Sequence, residues 1–118
     1  MNPTFSARFW RALDRLVKEN PVAIDRPAGT EHPRYPGCIY PLDYGYLEGT
    51  CAVDGGGIDV WVGSQGGSTV TGAVLAVDLH KNDAEVKILI GCTPDEMVAI
   101  EAHHNGQSQS GMLVVRKP

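Results

Sequence analysis

The stretch from Tyr40 to Val60 restricts the fold of this chain more than any other part of its sequence. It reads Tyr-Pro-Leu-Asp-Tyr-Gly-Tyr and then, after a short gap, Asp-Gly-Gly-Gly-Ile-Asp-Val. The three glycines between Asp54 and Asp59 favour a tight turn, because glycine allows backbone conformations that other residues avoid. We therefore expect short strands joined by turns, with two carboxylates placed beside one of the turns.

The residue types in this stretch are typical of a site that handles phosphate. Hard cations such as Mg²⁺ take oxygen ligands, usually one or two carboxylates together with waters and substrate phosphates. Asp54 and Asp59 would supply the carboxylates, and Tyr40 and Tyr44 would supply hydroxyl groups from one side of a strand. From the spacing alone, the stronger alternative is that the two aspartates simply close a hairpin turn.

Composition excludes several broad classes of protein. The 118 residues are enough for one domain, and the net charge of −4 argues against general binding to nucleic acid. The three cysteines form no paired motif, which favours free thiols in a reducing compartment. Because no apolar run approaches the length of a membrane span, we expect a cytoplasmic protein that acts without a membrane.

The first segment of the chain has the pattern of an amphipathic helix that ends at Asn20-Pro21. Its apolar residues recur on one face, namely Phe5, Phe9, Leu13, Leu16 and Val17. The helix would cover one end of a β-barrel or face a second subunit. Trp10 lies off the apolar face, which favours the contact with a second subunit. A homo-oligomer is therefore expected.

The second half of the chain predicts a hairpin followed by a helix. Residues 58–62, 73–79 and 84–90 have strand patterns, and the turn at 80–83 joins the last two. The helix is predicted over 94–104 because Thr-Pro-Asp-Glu at its start forms a capping box. His103 and His104 at its end are interpreted as structural, since a positive charge there suits the helix dipole.

Shorter strands are predicted at 22–26, 39–40, 44–46 and 50–53. Together with the two helices they indicate a mainly β fold of the α+β class, a small closed OB-like barrel of five strands. The chain is divided into an N-terminal helix (1–20), a barrel (22–90), a helix (93–105) and a final strand (111–116), all within one domain of residues 1–118.

The Tyr-Pro-x-x-Tyr-Gly-Tyr run followed by Asp-Gly-x-x-x-Asp-Val resembles the soluble family I inorganic pyrophosphatases. The similarity covers about residues 24–90. It implies an OB-like barrel and the Mg²⁺-dependent hydrolysis of inorganic pyrophosphate, with Mn²⁺ as a possible substitute for Mg²⁺.

The resemblance also implies a set of metal ligands and catalytic groups. Asp54 and Asp59 match the first and last aspartates of the family's metal loop. Glu85 matches an acidic metal ligand two residues before Lys87, and Asp83 is the ligand in a second possible register. Residues 83, 85 and 87 would share one face of a strand. The catalytic residues that the resemblance implies are Asp54, Asp59 and Lys87.

The same resemblance implies four substrate-binding residues. Arg26 and Lys87 match groups that hold phosphate, and Tyr40 and Tyr44 match tyrosines near the phosphate site. The substrate would be a small phosphate-containing molecule. Arg26 could instead pair with Asp25 or Glu31, an alternative that the sequence leaves open.

Several positions depart from the family's pattern and keep a second hypothesis open. The middle aspartate of the metal loop is Gly56, the acidic pair of the hairpin turn falls near His80-Lys81, and a loop is inserted at 27–39. Within that loop His32 and Arg34 are either functional groups or solvated surface residues. The two hypotheses are Mg²⁺-dependent hydrolysis of pyrophosphate or a related phosphoanhydride, and a catalytically impaired protein of the same fold that binds a phosphate-containing ligand or partner.

Overall fold

A computed structural model describes residues 3–117, which form two helices and a six-stranded sheet. The helices are α1 (Pro3–Glu19) and α2 (Pro94–His103). The strands are β1 (Val22–Arg26), β2 (Asp43–Leu47), β3 (Ile58–Val62), β4 (Val70–Asp78), β5 (Asp83–Ile90) and β6 (Gln109–Val115).

The sheet has the order β1-β2-β3-β5-β4-β6 and is open. Adjacent strands are antiparallel except for β3 and β5, which are parallel. The expected closed barrel of five strands is therefore wrong in both closure and strand number within residues 3–117. The chain returns from α2 to pair β6 with β4, which adds a sixth strand at one edge and leaves β1 at the other.

Most of the predicted elements are present with small shifts. The strand at 58–62 is confirmed, while β4 begins at Val70, three residues before the predicted start, and passes through a bulge before Gly72. The strands predicted at 39–40 and 50–53 are wrong. Thr50 explains the second error, because its hydroxyl donates to the Leu47 carbonyl (2.7 Å) and accepts from the Ile58 amide (3.0 Å). These bonds hold the segment between β2 and β3 as a turn.

The capping box of α2 is confirmed. The Thr93 hydroxyl accepts from the Glu96 amide (3.2 Å), and the Glu96 carboxylate accepts from the Thr93 amide (2.8 Å). The Glu96 carboxylate also accepts from the Ser64 amide at 3.2 Å. The cap therefore fixes the start of α2 to the loop that follows β3.

Helix α1 is rotated relative to the prediction. Trp10, interpreted from the sequence as a subunit contact, is buried (6% exposed), whereas Phe5 and Phe9 are 66% and 49% exposed. Asp14 accounts for the rotation, because its carboxylate accepts from the Val70 amide (3.1 Å) and pairs with Arg116 at 2.9 Å. These bonds turn Trp10 towards the sheet and leave Phe5 and Phe9 at the margin of the sheet.

Each face of the sheet packs against one helix. Successive side chains of a strand point to opposite faces, so the strands supply both cores. The core on the α1 side contains Trp10, Leu47 and Ile88, and the core on the α2 side contains Tyr40, Trp61 and Leu89, among others. In the described part of the chain, neither helix has the length and apolar character needed to cross a membrane.

Candidate active site

The ammonium group of Lys87 is the centre of the main polar cluster on the α2 side of the sheet. Its Nζ donates to Asp59 Oδ2 and Glu85 Oε2, each at 2.6 Å, and to the Tyr44 hydroxyl at 3.2 Å. An ammonium has three donors, so these three acceptors satisfy it completely. We call this group of four residues the Lys87 centre.

The strand register brings the Lys87 centre together. β3 and β5 are parallel, with Val60 beside Ile88, so the preceding residues Asp59 and Lys87 are also neighbours. Glu85 lies two residues before Lys87 and therefore on the same face of β5. Tyr44 reaches the same face from β2, opposite Trp61 of β3.

Charge and burial act against each other at the Lys87 centre. The Lys87 side chain is 11% exposed, so burial disfavours its charged form, but its interactions with Tyr44, Asp59 and Glu85 outweigh that cost and raise its pKa. Burial raises the pKa of Glu85, because it disfavours the charged carboxylate, although Lys87 opposes the change. The charges of Asp59 and Asp54 raise it further. Lys87 is therefore a permanent cation that offsets closely spaced carboxylates.

Asp54 lies at the edge of this centre on the exposed glycine turn. Its carboxylate accepts from the Gly56 amide at 3.0 Å, and this bond is the main reason that its pKa is lowered. Glu85 and Lys87 lie close enough to lower it further. Asp54 thus fits both interpretations, as a residue that closes a turn and as a residue of a site. One of its oxygens closes the turn, and its side chain borders the Lys87 centre.

The expected metal cluster is not formed among residues 3–117, where no three potential ligands are arranged around a common point. The reason is that the Lys87 ammonium takes the facing oxygens of Asp59 and Glu85, while Asp54 stays on the turn. Asp83 is further displaced. It lies two residues before Glu85, next to the hairpin turn, where its Cα is opposite that of Asp78 in the strand register. The predicted ligand Asp83 therefore stands apart from the contacts of Lys87.

The donor chemistry of the Lys87 centre nevertheless fits a hard divalent cation. Within the described chain, Lys87 uses only one oxygen each of Asp59 and Glu85, and the Gly56 amide uses only one oxygen of Asp54. The second oxygen of each carboxylate is without a hydrogen bond there. Oxygen ligands of this kind are the ones that Mg²⁺ and Mn²⁺ prefer.

A stack of aromatic rings leads away from the Lys87 centre. The ring of Tyr44 lies 4.6 Å from that of Trp61 and 5.5 Å from that of Tyr40, which in turn lies 6.0 Å from the ring of His32. Burial raises the pKa of both tyrosines, so their hydroxyl groups are neutral donors and acceptors at neutral pH. The predicted phosphate-site tyrosines therefore connect two polar regions.

Arg26 lies at the Tyr40 end of this stack. It follows a bulge in β1, and its Nη1 donates to the Asp25 carbonyl at 3.2 Å. Burial raises the pKa of Tyr40, and the nearby charge of Arg26 opposes that change. The alternative pairing with the Asp25 or Glu31 carboxylate is not formed in the described chain. The structure thus places Arg26 opposite Tyr44, the tyrosine that accepts from Lys87, and close enough to Tyr40 for its charge to act there.

The histidines at the end of α2 belong to the site environment, which sequence reasoning missed. His104 is buried, and its Nε2 accepts from the Trp61 indole at 2.9 Å, while its Nδ1 lies 3.1 Å from Gln109 Oε1. Burial lowers the pKa of His104 to about 4. Burial and the nearby His32 also lower the pKa of His103. Both rings are neutral at neutral pH, so the expected benefit of their charge to the helix dipole is wrong.

No sequence signal marks His104 as the partner of Trp61. The two residues are 43 positions apart and meet only because α2 packs across β3. The sequence likewise does not mark His103 as a contact of Tyr40, although their rings lie 5.0 Å apart. A histidine pair at a helix end is common enough to have no specific meaning until the packing is known.

Comparisons with known proteins extend only to structure. No protein-family model matches the chain, and no curated protein gives a significant sequence match. An inorganic pyrophosphatase from Coxiella burnetii superimposes with a TM-score of 0.55 and 16% identity, over 80% of this chain and 82% of that one. An inorganic pyrophosphatase from Helicobacter pylori gives 0.51 and 13%, over 81% and 75%. The chain therefore has a fold similar to that of these inorganic pyrophosphatases.

Proposed function

We propose that this protein hydrolyses a phosphoanhydride, with inorganic pyrophosphate as the default substrate, in the presence of Mg²⁺ or Mn²⁺. The observation that carries the proposal is the Lys87 centre itself. Asp59, Glu85 and Lys87 lie within hydrogen-bonding distance, with Asp54 at their edge, in a fold similar to that of two inorganic pyrophosphatases. We infer from this likeness that the chain is a divergent member of the same family.

The charge of the site suits a single divalent cation. Three carboxylates and one ammonium leave a net charge of −2 when all are ionised. One Mg²⁺ ion would neutralise that charge. Asp54, Asp59 and Glu85 would hold it through their free oxygens once Asp54 turns from the Gly56 amide towards the other two carboxylates. A phosphate anion alone would be repelled by the same carboxylates, so the cation is required at this end of the site.

The residues of the chain have distinct tasks in this proposal. A divalent cation at the carboxylates would polarise the anhydride and make bound water more acidic. Lys87 adds a fixed positive charge, and the Tyr44 hydroxyl helps to hold its ammonium in place. Arg26 and the Tyr40 hydroxyl would bind phosphate oxygens further along the stack. Phosphoryl transfer depends mainly on such positioning and charge neutralisation.

The test is phosphate release from inorganic pyrophosphate with Mg²⁺ and with EDTA. We expect release only with the metal, and we expect Asp59→Asn to lower kcat/KM at least about a hundredfold, because removing a group that stabilises transition-state charge has effects of this size. Asp95→Asn is the matched control, since Asp95 is an exposed aspartate in the first turn of α2. No metal-dependent release from the wild type would refute the proposal.

A second function is favoured by one specific observation. All three donors of Lys87 are already taken, and Gly56 stands where the resemblance leads us to expect a third aspartate in the loop. A catalytically impaired protein that binds a phosphate-containing ligand or partner would have these properties. Binding of pyrophosphate without any release of phosphate would select this function over hydrolysis.

We also propose that a second copy of the chain covers the face beside α1. Several apolar side chains there are 42–66% exposed, namely Phe5, Phe9, Leu75, Val77 and Met112. Phe9, Leu75 and Val77 also line a cleft of about 480 Å³ between the helix and the sheet. Monomeric proteins rarely expose an apolar patch beyond a few hundred Å². Light scattering should show an oligomer that Met112→Lys weakens, and a wild-type monomer at high concentration would refute this.

A further inference from the structure

We propose that β1 pairs with β1 of a second copy of this chain, so that two sheets join edge to edge across a two-fold axis. The pairing is antiparallel and centred on Ala23, with Val22 of each copy beside Ile24 of the other. This contact lies at the opposite edge of the sheet from β6 and Met112. It goes beyond the proposed hydrolysis and does not depend on it.

The backbone of the β6 edge is capped by side chains from the α2 region. The Leu113 amide donates to Glu101 Oε2 at 2.7 Å. Asn105 bonds to the amide (3.2 Å) and to the carbonyl (2.9 Å) of Gly111. Glu101 lies in α2, and Asn105 follows its end. Because free amides and carbonyls are what make an edge strand a template for another strand, β6 is closed to a further strand at these positions.

The β1 edge has no comparable cover within the described residues. The Glu48 amide donates to the Pro21 carbonyl at 2.8 Å, so Pro21 and, two residues later, Ala23 direct their backbone groups towards β2. The amides and carbonyls of Val22 and Ile24 therefore point away from the sheet. No other element among residues 3–117 bonds to them. The backbone of β1 is thus ready to pair with another strand.

The side chains at the β1 edge are apolar and exposed. Val22 is 37% exposed and Ile24 is 39% exposed. Both line a hollow of about 440 Å³ together with Val17, Val62 and Ile90, which pack in the core on the α1 side of the sheet. A strand added beside β1 would place its own side chains next to those of Val22 and Ile24 on this face. It would therefore cover apolar surface as well as satisfy the backbone.

The sequence of β1 matches a second copy of itself. Val22-Ala23-Ile24 has a β-branched residue on each side of a small one, so its pattern is the same in both directions. In antiparallel pairing centred on Ala23, each Val22 meets an Ile24, and both have outward-facing backbone groups that bond to each other. Cross-strand pairs of β-branched residues stabilise a sheet. The two Ala23 residues meet at the axis, where their small side chains leave room for close approach.

Charge does not oppose the pairing of two β1 strands. The whole chain has a net charge of −4, which works against self-association. At the β1 edge, however, Lys18 and Glu19 before the strand cancel each other, and so do Asp25 and Arg26 at its end. Antiparallel pairing brings one of these neutral ends to the other. The edge is therefore a neutral, self-complementary surface on an acidic protein.

The first test is sedimentation of the full chain carrying Met112→Lys, which weakens the contact proposed at the other edge. We expect a dimer whose dissociation constant rises at least about tenfold when Ile24→Lys is added, because lysine on an edge strand disfavours pairing and both Val22–Ile24 pairs are lost. Val98→Lys, a change at a 60% exposed residue of α2, is the matched control. A monomer in the Met112→Lys chain, or an unchanged dissociation constant with Ile24→Lys, would overturn the proposal.

Cysteine cross-linking tests the register without placing a charge in β1. The chain would carry Cys38→Ser and Cys51→Ser, which leaves the buried Cys92 as its native thiol. With Ala23→Cys, the two introduced thiols would face each other with Cα atoms about 4.5 Å apart, within the range of a disulfide. Oxidation by copper phenanthroline should give a covalent dimer faster from Ala23→Cys than from Val22→Cys, whose positions in the two copies are offset by two residues. No covalent dimer from Ala23→Cys, or faster cross-linking at Val22, would contradict the two-fold pairing.

Discussion

The Lys87 centre and a second set of cations, Arg26, Arg34 and Lys81, differ in how their charges are paired. At the Lys87 centre every donor of the ammonium is bonded, and the carboxylates exceed the cation in number. Arg26, Arg34 and Lys81 have no carboxylate oxygen within 4.0 Å in the described chain.

The difference shows what each region contributes. Paired, partly buried charges are held by the register of β3 and β5, so the Lys87 centre is part of the folded structure as well as a candidate for binding a cation. Unpaired charges on a loop and a turn add little to stability and repel one another.

Restoring a carboxylate at the glycine turn should strengthen the binding of a divalent cation at the Lys87 centre. A Cβ placed on Gly56 would approach only Asp54 Oδ1, at 3.4 Å, so Gly56→Asp is sterically allowed. We expect higher Mg²⁺ affinity and a gain in pyrophosphate turnover of about 10²–10⁴-fold, the usual value of a positioned general base.

The measurement for Gly56→Asp is turnover against wild type at several Mg²⁺ concentrations. Gly55→Asp is an unsuitable control, because Gly55 has a φ of 88° that strains other residues. Asp95→Glu changes a distant exposed acid instead. Equal or lower turnover of Gly56→Asp at every Mg²⁺ concentration would contradict a weakened inherited mechanism and favour the binding function.

Removing one cation from each region should have very different effects on stability. Lys87→Met leaves Asp59 and Glu85 facing each other, and breaking a buried pair in this way costs about 3 kcal/mol or more. Arg34→Gln removes an exposed, unpaired charge and should change the free energy of unfolding by less than about 0.5 kcal/mol. Urea unfolding at neutral pH measures both. Similar losses for the two variants would break the distinction between paired and unpaired charges.

The buried His104 should make the region behind the Lys87 centre sensitive to acid. Its pKa in the folded protein is about 4, below the ordinary value of 6.5. The unfolded chain therefore takes up a proton first, and stability should fall as the pH is lowered from about 6.5 to about 4, by at most about 3 kcal/mol. Above pH 6.5 this contribution is constant.

Urea unfolding across that pH range tests the prediction. His104→Gln should flatten the dependence, while His80→Gln, a change at an exposed turn residue, should leave it intact. His32 and His103 also have lowered pKa values and act in the same direction, so a residual slope is expected. An unchanged slope in His104→Gln would contradict the account of the buried ring.

Local sequence signals predicted the local structure well. The cap at Thr93, the strand at 58–62 and the hairpin at 80–83 depend on neighbouring residues, and all are present. The closed barrel failed because closure depends on which strand edge β6 meets, a choice made by packing across the whole sheet. The rotation of α1 failed for a similar reason, since it depends on Asp14 meeting Arg116, 102 residues away.

The candidate site was predictable in its residue types and less so in its contacts. The spacing of Glu85 and Lys87 placed them on one face, as the structure has them, and the resemblance brought Asp59 and Tyr44 to them. The absence of a formed metal cluster could not be predicted, because the sequence does not show that Lys87 bonds to the facing oxygens of Asp59 and Glu85.

The central claim is that the Lys87 centre takes a divalent cation, and the unfolding free energy with and without Mg²⁺ tests it most directly. The account predicts that Mg²⁺ at a hundredfold excess over its dissociation constant stabilises the wild type by about 2.7 kcal/mol. Asp59→Asn should lose most of that gain, and Asp95→Asn should keep it. Identical unfolding midpoints of the wild type with and without saturating Mg²⁺ would contradict the claim.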